Sequence, residues 1–357
     1  MFRRTSTLAI AGLLAAAPAL AACGSSSSGD KASASLPTVK IMVGGIDKQI
    51  YLPFKLADEL GFYKKYGVKV ELSTEQDGGV GAEDAMASGQ VDIAGAWYNH
   101  AIELQAKGKQ AISLVQLSGA PGERIMCTPK SGVKSGADIK GKTMGVTDLG
   151  SGTDTLTKFV AEKAGVSTKD YHTIAVGAGA TAVAALQNGS ADCVMTTQPT
   201  VTALESKGIA TSAIDLATTE GATSALGGAW PAACAFTMQS WVDSHKAAAQ
   251  GVTDALVATM HWINTHTAAE IADKMPTDYV QNDLITKADY TKALEQDKGQ
   301  FLPDGLMPKG GPETSEETEK LLGVDVSKVD LAKTFTTTYV QNALKKEGIT
   351  PTTTPEG

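Results

Sequence analysis

Residues 150–154, Gly-Ser-Gly-Thr-Asp, have the residue types to bind an anion, because they open a predicted helix. The N–H groups at a helix N-terminus lack intrahelical acceptors, and with the hydroxyls of Ser151 and Thr153 they suit an anion or a carbonyl oxygen. Asp154 is either an ordinary charge of the first helical turn or a group that repels an anion. We predict ligand contacts for Ser151, Gly152 and Thr153, with a capped helix and no ligand as the alternative.

Two adjacent aromatic residues, Trp97 and Tyr98, end a predicted strand. They cannot both point into the same core, because successive strand residues face opposite sides of a sheet. We expect one of them to face a ligand, where it would stack on a ring or pack on an apolar tail. The alternative is that Trp97 fills the core and Tyr98 lies on the surface. Trp230 is a third aromatic candidate.

Arg124 is the only arginine outside the first four residues, since Arg3 and Arg4 are the other two. A guanidinium can bind a carboxylate or a sulfonate through two parallel hydrogen bonds, which an ammonium cannot. We therefore include Arg124 among the candidate ligand contacts. The alternative is a salt bridge between two parts of the fold, or a surface charge.

The remaining candidates follow predicted strands or precede predicted helices. In open α/β sheets, ligands bind at the carboxyl ends of strands and at helix N-termini. By this rule the further candidates are Asp47, Gln49, Asp77, Gly78, Asn99, Ser118 and Gln198.

The elements that would position these residues alternate between strands and helices. Short apolar runs such as "TVKIMV", "VDIAGAW" and "ADCVMTT" alternate with helical patterns, and a second α/β unit begins near residue 142. This pattern predicts mostly parallel sheets flanked by helices. From Gln239 the pattern is mainly helical, interrupted by a predicted loop over residues 302–318, and residues 351–357 are predicted to be a disordered tail.

The N-terminus has the features of an export signal. Arg3 and Arg4 precede an apolar run of about a dozen residues, which is too short to span a bilayer. Residues 20–23, Leu-Ala-Ala-Cys, resemble a lipobox. We predict that residues 1–22 are a lipoprotein signal peptide, that Cys23 is lipidated and that residues 23–37 form a flexible tether. The alternative is an ordinary secretory signal.

Composition favours a globular domain, with 42% hydrophobic and 20% charged residues. Loss of Arg3 and Arg4 with the signal would change the net charge from −8 to −10, which argues against a nucleic-acid partner. A chain of this length exceeds the usual size of a single core, so two lobes are expected.

The cysteines and histidines show no motif for a metal or a cofactor, and we expect neither. Cys127, Cys193 and Cys234 lie in apolar runs, either as buried thiols or as one disulfide with one free thiol. The five histidines show no metal-ligand spacing.

Four segments in order resemble one protein family. These are residues 61–68 (GFYKKYGV), 85–94 (AMASGQVDIA), 138–154 (DIKGKTMGVTDLGSGTD) and 184–199 (AALQNGSADCVMTTQP). They resemble the substrate-binding proteins of sulfonate, nitrate, taurine and thiamine-pyrimidine-precursor ABC importers. The basic pair Lys64 and Lys65 reads as a solvated corner of a βαβ connection, not as an anion site.

The resemblance implies a two-lobed α/β fold, the type II periplasmic-binding-protein fold with a helical C-terminal part. Lobe one would comprise residues 38–121 and 231–350, and lobe two residues 122–230. The implied function is a monomeric, lipid-anchored receptor on the outer face of the cell membrane. It would capture a small organic anion, such as a sulfonate, nitrate or an aromatic carboxylate, between its lobes and deliver it to an ABC permease with its ATPase.

Other functions stay open at this point. The runner-up ligand is a thiamine pyrimidine precursor or another heterocycle. A sensor or surface lipoprotein without transport is the second class. A pyrimidine-synthase-like enzyme is the third, against which the export signal and the dispersed cysteines argue. If the aromatic assignment is right, Trp97→Ala weakens ligand binding much more than Lys64→Ala.

Overall fold

Two five-stranded sheets form the framework of the computed structural model, which describes residues 35–75 and 78–356. The strands are β1 (Thr38–Val43), β2 (Lys69–Thr74), β3 (Ile93–Trp97), β4 (Ala111–Gln116), β5 (Glu123–Cys127), β6 (Thr143–Val146), β7 (His172–Ala175), β8 (Cys193–Thr197), β9 (Thr211–Asp215) and β10 (Ala233–Met238). The first sheet has the order β2-β1-β3-β10-β4 and the second β7-β6-β8-β5-β9. Each sheet with its flanking helices is one lobe, so the predicted two-lobed α/β fold is confirmed.

Helices cover both sheets and make up most of the chain after β10. They are α1 (Leu52–Glu59), α2 (Phe62–Lys65), α3 (Gly79–Ala87), α4 (Asn99–Ala106), α5 (Gly152–Lys163), α6 (Ala180–Gln187), α7 (Thr200–Ser206), α8 (Thr219–Leu226), α9 (Gln239–Ser244), α10 (Lys246–Thr265), α11 (Ala268–Ala272), α12 (Thr277–Val280), α13 (Lys287–Asp297), α14 (Gly311–Leu321) and α15 (Thr338–Glu347). Short 3-10 turns occupy Gln49–Tyr51, Pro129–Ser131, Gly136–Ile139, Lys298–Gln300 and Leu331–Lys333. Within the described ranges, no helix has both the length and the apolar character to cross a membrane.

One strand in each sheet runs against the other four. β10 pairs antiparallel with both β3 and β4, and β5 pairs antiparallel with both β8 and β9. Each reversed strand is the first strand after the chain passes from one sheet to the other. Both lie inside their sheets, so the two crossings anchor the lobes to each other through central strands.

The disulfide left open by the sequence joins Cys127 to Cys193. The two residues are directly opposite each other on the antiparallel strands β5 and β8. Cys234 lies on β10 as a buried free thiol.

The structure differs from the predicted elements at three places. Half of the predicted loop over 302–318 belongs to helix α14, because Pro312 fits its first turn and Gly310 precedes it with a φ of 76°. Strand β9 and helix α8 were not predicted. Residues 351–356, which the sequence predicts to be disordered, make specific hydrogen bonds, because the Asp304 carboxylate accepts from the N–H groups of Thr352 and Thr353.

Candidate ligand-binding site

A small cavity lies where the two lobes meet. Its lining comes from both lobes and consists of Lys48, Ile50, Tyr51, Gly78, Gly79, Trp97, His100, Glu123, Thr147, Ser151, Gly152 and Thr153. The cavity volume is about 10 Å³, which is room for about one water molecule. Any organic ligand at this position therefore requires the two lobes to move apart.

Two helix N-termini meet at the cavity from opposite lobes. Helix α3 begins at Gly79 after Gly78, and helix α5 begins at Gly152 after Ser151. Gly78 has a φ of 96°, and a Cβ there would lie 3.0 Å from the Thr147 hydroxyl of the other lobe. The two glycines at α3 thus allow its N–H groups to approach the second lobe closely, and both helix dipoles favour negative charge in the cavity.

Three hydroxyl groups of lobe two form one hydrogen-bonded cluster at the cavity. Thr147 Oγ1 donates to Ser151 Oγ at 3.0 Å, and Thr153 Oγ1 lies 2.8 Å from both oxygens. Ser151 Oγ also accepts from the N–H of Asp154 as the cap of α5. The Asp154 carboxylate accepts from Gly150 N and pairs with Lys158, so it stabilises the helix start and does not line the cavity.

Trp97, and not Tyr98, faces the cavity. The Tyr98 hydroxyl hydrogen bonds with Thr334 inside a separate apolar cluster. The Trp97 indole packs edge-to-face on Trp230, with ring centroids 5.2 Å apart, and lies directly on Gly152 of the other lobe. A Cβ added at Gly152 would overlap the indole ring. Trp97 is therefore the aromatic that lines the cavity, and the alternative that Tyr98 lies on the surface is wrong because Tyr98 is fully buried.

Buried ionisable groups surround the cavity. The Lys48 ammonium donates to the Gly44 carbonyl at 2.9 Å. Burial raises the pKa of Glu123 to about 8, although Lys48 and Arg124 oppose this shift. Burial thus favours the protonated form of the Glu123 carboxyl, and that form can donate a hydrogen bond.

His100 places one ring nitrogen at the cavity. Its Nε2 has no hydrogen-bond partner in the described part of the chain and lies 2.9 Å from where a Gly79 Cβ would be. Burial opposes a charge on this ring, but the contact with Glu83 and the nearby Glu103 raise its pKa to about 9. A protonated His100 would present an N–H donor to an anion in the cavity.

Arg124 does not reach the cavity. Its two terminal nitrogens donate to both carboxylate oxygens of Asp297 at 2.7 and 2.8 Å, and its Nε donates to Asp215 at 3.1 Å. The predicted ligand role gives way to the salt-bridge alternative, because a buried aspartate occupies the bidentate face of the guanidinium.

Several other predicted contacts serve the fold instead of the cavity. Ser118 Oγ accepts from Ala233 N, and Trp230 Nε1 donates to Thr318. Asn99 points toward Glu103 and Glu319.

Two predicted contacts link the lobes, and a third lines a neighbouring groove. Gln49 N donates to the Gln198 carbonyl across the lobe boundary at 3.0 Å. Asp47 is exposed and lines a groove of about 300 Å³ next to the cavity, with Lys48 and residues 177–181. Asp77 and Cys23 lie outside the described residues.

Sequence reasoning missed Ile50, Tyr51 and Gly79 of the cavity lining. It also missed four polar cavity residues, which are Lys48, His100, Glu123 and Thr147. Lys48, His100 and Thr147 lie next to the ends of predicted strands or helices, so the rule that ligands bind at these ends could have identified them. Glu123 gave no such signal, because it lies just before a predicted strand, whereas the rule points to the carboxyl ends of strands.

Comparison with known proteins identifies the family. Residues 50–266, more than half of the chain, match the family described as NMT1/THI5 like. The chain belongs to the NMT1/THI5-like family. A solved structure from Bordetella bronchiseptica RB50 shares 34% identity with this family member, with a TM-score of 0.81 over 87% of this chain and 98% of the other.

Two more distant relatives carry descriptive names. The alkanesulfonate-binding protein SsuA from Xanthomonas axonopodis pv. citri, solved bound to MOPS, shares the fold at 18% identity, with a TM-score of 0.64 over 85% of this chain and 99% of that one. A 4-amino-5-hydroxymethyl-2-methylpyrimidine phosphate synthase from Legionella pneumophila (strain Philadelphia 1) is 24% identical over 143 residues, which is 40% of this chain. This NMT1/THI5-like chain spans 44% of that curated relative.

Proposed function

We propose that this protein is an extracytoplasmic receptor that captures a small organic anion between its lobes. One observation carries the proposal. Two helix N-termini, three hydroxyls and the unpartnered Nε2 of His100 converge on one cavity that both lobes line. Hydrogen-bond donors with fixed positive dipoles suit a sulfonate or a carboxylate head group.

Capture would proceed by closure of the lobes. The present cavity holds about one water, so the anion enters an open form, and the lobes then close around it with Trp97 and Gly152 further apart than they are here. The Trp97 indole and the side chains of Ile50 and Tyr51 would contact the apolar part of the ligand. The alkanesulfonate-binding relative supports a ligand of this kind.

Export, anchoring and delivery complete the proposal. Cys23 would carry the lipid that holds a monomeric receptor on the outer face of the membrane. The loaded receptor would hand its ligand to an ABC permease and its ATPase, and would itself catalyse no reaction.

A pyrimidine is the second candidate ligand. The cavity presents the Trp97 indole, on which a heterocycle can stack once the lobes open. The curated relative named as a pyrimidine phosphate synthase supports a pyrimidine-shaped ligand.

A thermal-shift screen of the full chain tests the proposal. The compounds are alkanesulfonates, nitrate, aromatic carboxylates and aminopyrimidines, because a ligand that binds only the folded state raises the Tm. We expect a rise with a sulfonate or a carboxylate. A rise with an aminopyrimidine alone would select the second candidate, and no rise with any compound would count against a receptor for these classes.

A matched pair of variants locates the site. Ser151→Ala removes a helix cap and a cavity hydroxyl, whereas Thr286→Ala removes an equivalent cap on α13, whose residues do not line the cavity. We expect both to lose about 1 kcal/mol of stability. Only Ser151→Ala should weaken binding of the compound found in the screen; equal binding by the two variants would place the ligand elsewhere.

A further inference from the structure

A second group of ionisable side chains lies buried beside the cavity, between α3, α4 and α14. Glu83 comes from α3, His100 and Glu103 from α4, and Glu319 from α14. Glu83, His100 and Glu319 are 5%, 1% and 2% exposed. Three carboxylates and one imidazole thus meet in the interior of lobe one, where like charges without a counterion are costly.

Nearby lysines supply little compensation. Lys107 Nζ lies 3.9 Å from Glu103 Oε2, but the lysine side chain is 62% exposed. An exposed ammonium at this distance is screened by water and contributes weakly. Among the described residues, a protonated His100 is the cation inside the cluster when no metal is bound, and it balances one of the three carboxylates.

The ligand atoms of the cluster are close together. His100 Nδ1 lies 2.8 Å from Glu83 Oε2 and 4.0 Å from Glu103 Oε2, and the three groups each offer one atom within 4.8 Å of the others. Nδ1 of His100 is buried, yet its contact with Glu83 lacks the alignment of a hydrogen bond. A buried imidazole nitrogen this close to two carboxylates is either an imidazolium in an ion pair or a metal ligand, and the metal measurements below separate the two.

A buried amide holds the carboxylates in place. Asn99 Nδ2 donates to Glu103 Oε1 at 2.8 Å and to Glu319 Oε1 at 3.2 Å. Its Oδ1 is buried and has no partner in the described ranges. Hydrogen bonds of this kind orient metal-ligating carboxylates from outside the coordination sphere.

We propose that His100 Nδ1, Glu83 and Glu103 bind one divalent transition-metal ion of the Zn²⁺ or Mn²⁺ class. Bonds of about 2.0–2.2 Å place the ligands of a tetrahedral ion about 3.3 Å apart. The distances of 2.8 and 4.0 Å bracket this value, so shifts of less than about 1 Å complete the site. A doubly charged ion with a neutral imidazole and two carboxylates is electrically balanced, and burial favours the neutral form of the third carboxyl by raising the pKa of Glu319 to about 8.

The metal would also determine the state of the histidine at the ligand cavity. Ligation through Nδ1 leaves the imidazole proton on Nε2, the nitrogen that faces the cavity. The ion would then fix His100 as a hydrogen-bond donor and link the middle of α3 to the first turns of α4.

Metal content of the full chain tests the site without any organic ligand. The chain is purified without a polyhistidine tag, stripped with a chelator, exposed to Zn²⁺ or to Mn²⁺, desalted and analysed for bound metal. We expect about one retained ion per chain and a higher Tm for the loaded form. Loss of all metal on desalting, with no change in Tm, would overturn the site. The negative charge of the carboxylates would then be balanced by protonation of the cluster and not by a metal ion.

Variants show whether the retained ion is bound at this cluster. His100→Gln and Glu103→Gln should reduce retained metal to background, while Glu317→Gln, an exposed acid on the same helix as Glu319, should retain it. Metal retention by all three variants equal to that of the unmodified chain would overturn the proposal. Because a variant can fail to fold, the unmodified chain is also loaded with Co²⁺, whose visible absorption reports nitrogen and oxygen ligation; the bands of hexaaqua Co²⁺ alone would contradict the site.

Discussion

The contact between Gly152 and Trp97 makes a sharp prediction, because it joins the two lobes at one point. Gly152 occupies the first position of α5 and has no left-handed φ, so its backbone accepts an alanine. Elsewhere such a replacement stabilises a protein by about 0.4–1 kcal/mol. Here the added methyl overlaps the indole, and the overpacking should cost about 1–3 kcal/mol.

This cost applies only to the closed arrangement, because separation of the lobes relieves the overlap. Because the closed arrangement has no room for an organic ligand, Gly152→Ala should shift the ligand-free chain toward open lobes and strengthen binding of the ligand found in the screen by up to about 5- to 150-fold. Small-angle scattering of the ligand-free chain should show a larger radius of gyration. Gly299→Ala is the matched control, since a Cβ at Gly299 has no atom within 4 Å and its φ is not left-handed.

A second substitution tests whether overlap between the added methyl group and the Trp97 indole causes the effect. Trp97→Phe makes the ring smaller, so the double variant Gly152→Ala/Trp97→Phe should recover the radius of gyration of the unmodified chain. If Gly152→Ala matches Gly299→Ala in both binding and scattering, the closed contact between Trp97 and Gly152 does not exist in solution.

Three further predictions concern stability, each measured by urea denaturation. Burial raises the pKa of Glu123 to about 8, from about 4.3 in the unfolded chain, so between these pH values the carboxyl ionises only in the unfolded state. The free energy of unfolding should therefore decrease as the pH rises from about 4.3 to about 8. Glu123→Gln should make this decrease smaller, and an unchanged pH dependence would refute the raised pKa. Arg124→Ala should cost about 3–5 kcal/mol by leaving Asp297 buried and unpaired, whereas a loss below 1 kcal/mol would mean that water replaces the guanidinium. Replacing Cys127 and Cys193 together by serine should cost about 2–5 kcal/mol, and the same loss after adding a reductant to the unmodified chain would attribute it to the disulfide.

Much of the fold follows from local patterns in the sequence. The strands β1, β3 and β8 are short apolar runs between turn residues, and helices such as α5 follow them at regular intervals. The sequence predicts a loop where the structure has helix α14, and the reason is local, because Gly310 and Pro312 are typical both of loops and of helix starts. Local signals cannot separate these two cases.

The site was less predictable because its contacts are distant in sequence. Strand alternation shows that Trp97 and Tyr98 face opposite sides, but only the packing of the second lobe decides which side holds the cavity. Arg124 is bound by aspartates 91 and 173 residues away. The partner of His100 on α3 is likewise invisible to any spacing rule, since Glu83 belongs to a different helix.

The placement of the two reversed strands has a consequence for the order in which the sheets assemble as the chain emerges from its N-terminus. All strands of the second sheet lie between residues 123 and 215, so that sheet can form as soon as this continuous segment has emerged. The first sheet cannot, because β10 must insert between β3 and β4, and the outer edge of β4 pairs with Phe335. A chain that emerges from its N-terminus would therefore hold β1 to β4 as an incomplete sheet until β10 (Ala233–Met238) has emerged, and the outer edge of β4 would stay open until Phe335 follows. Any factor that protects nascent chains would find its binding sites in this first-emerging segment.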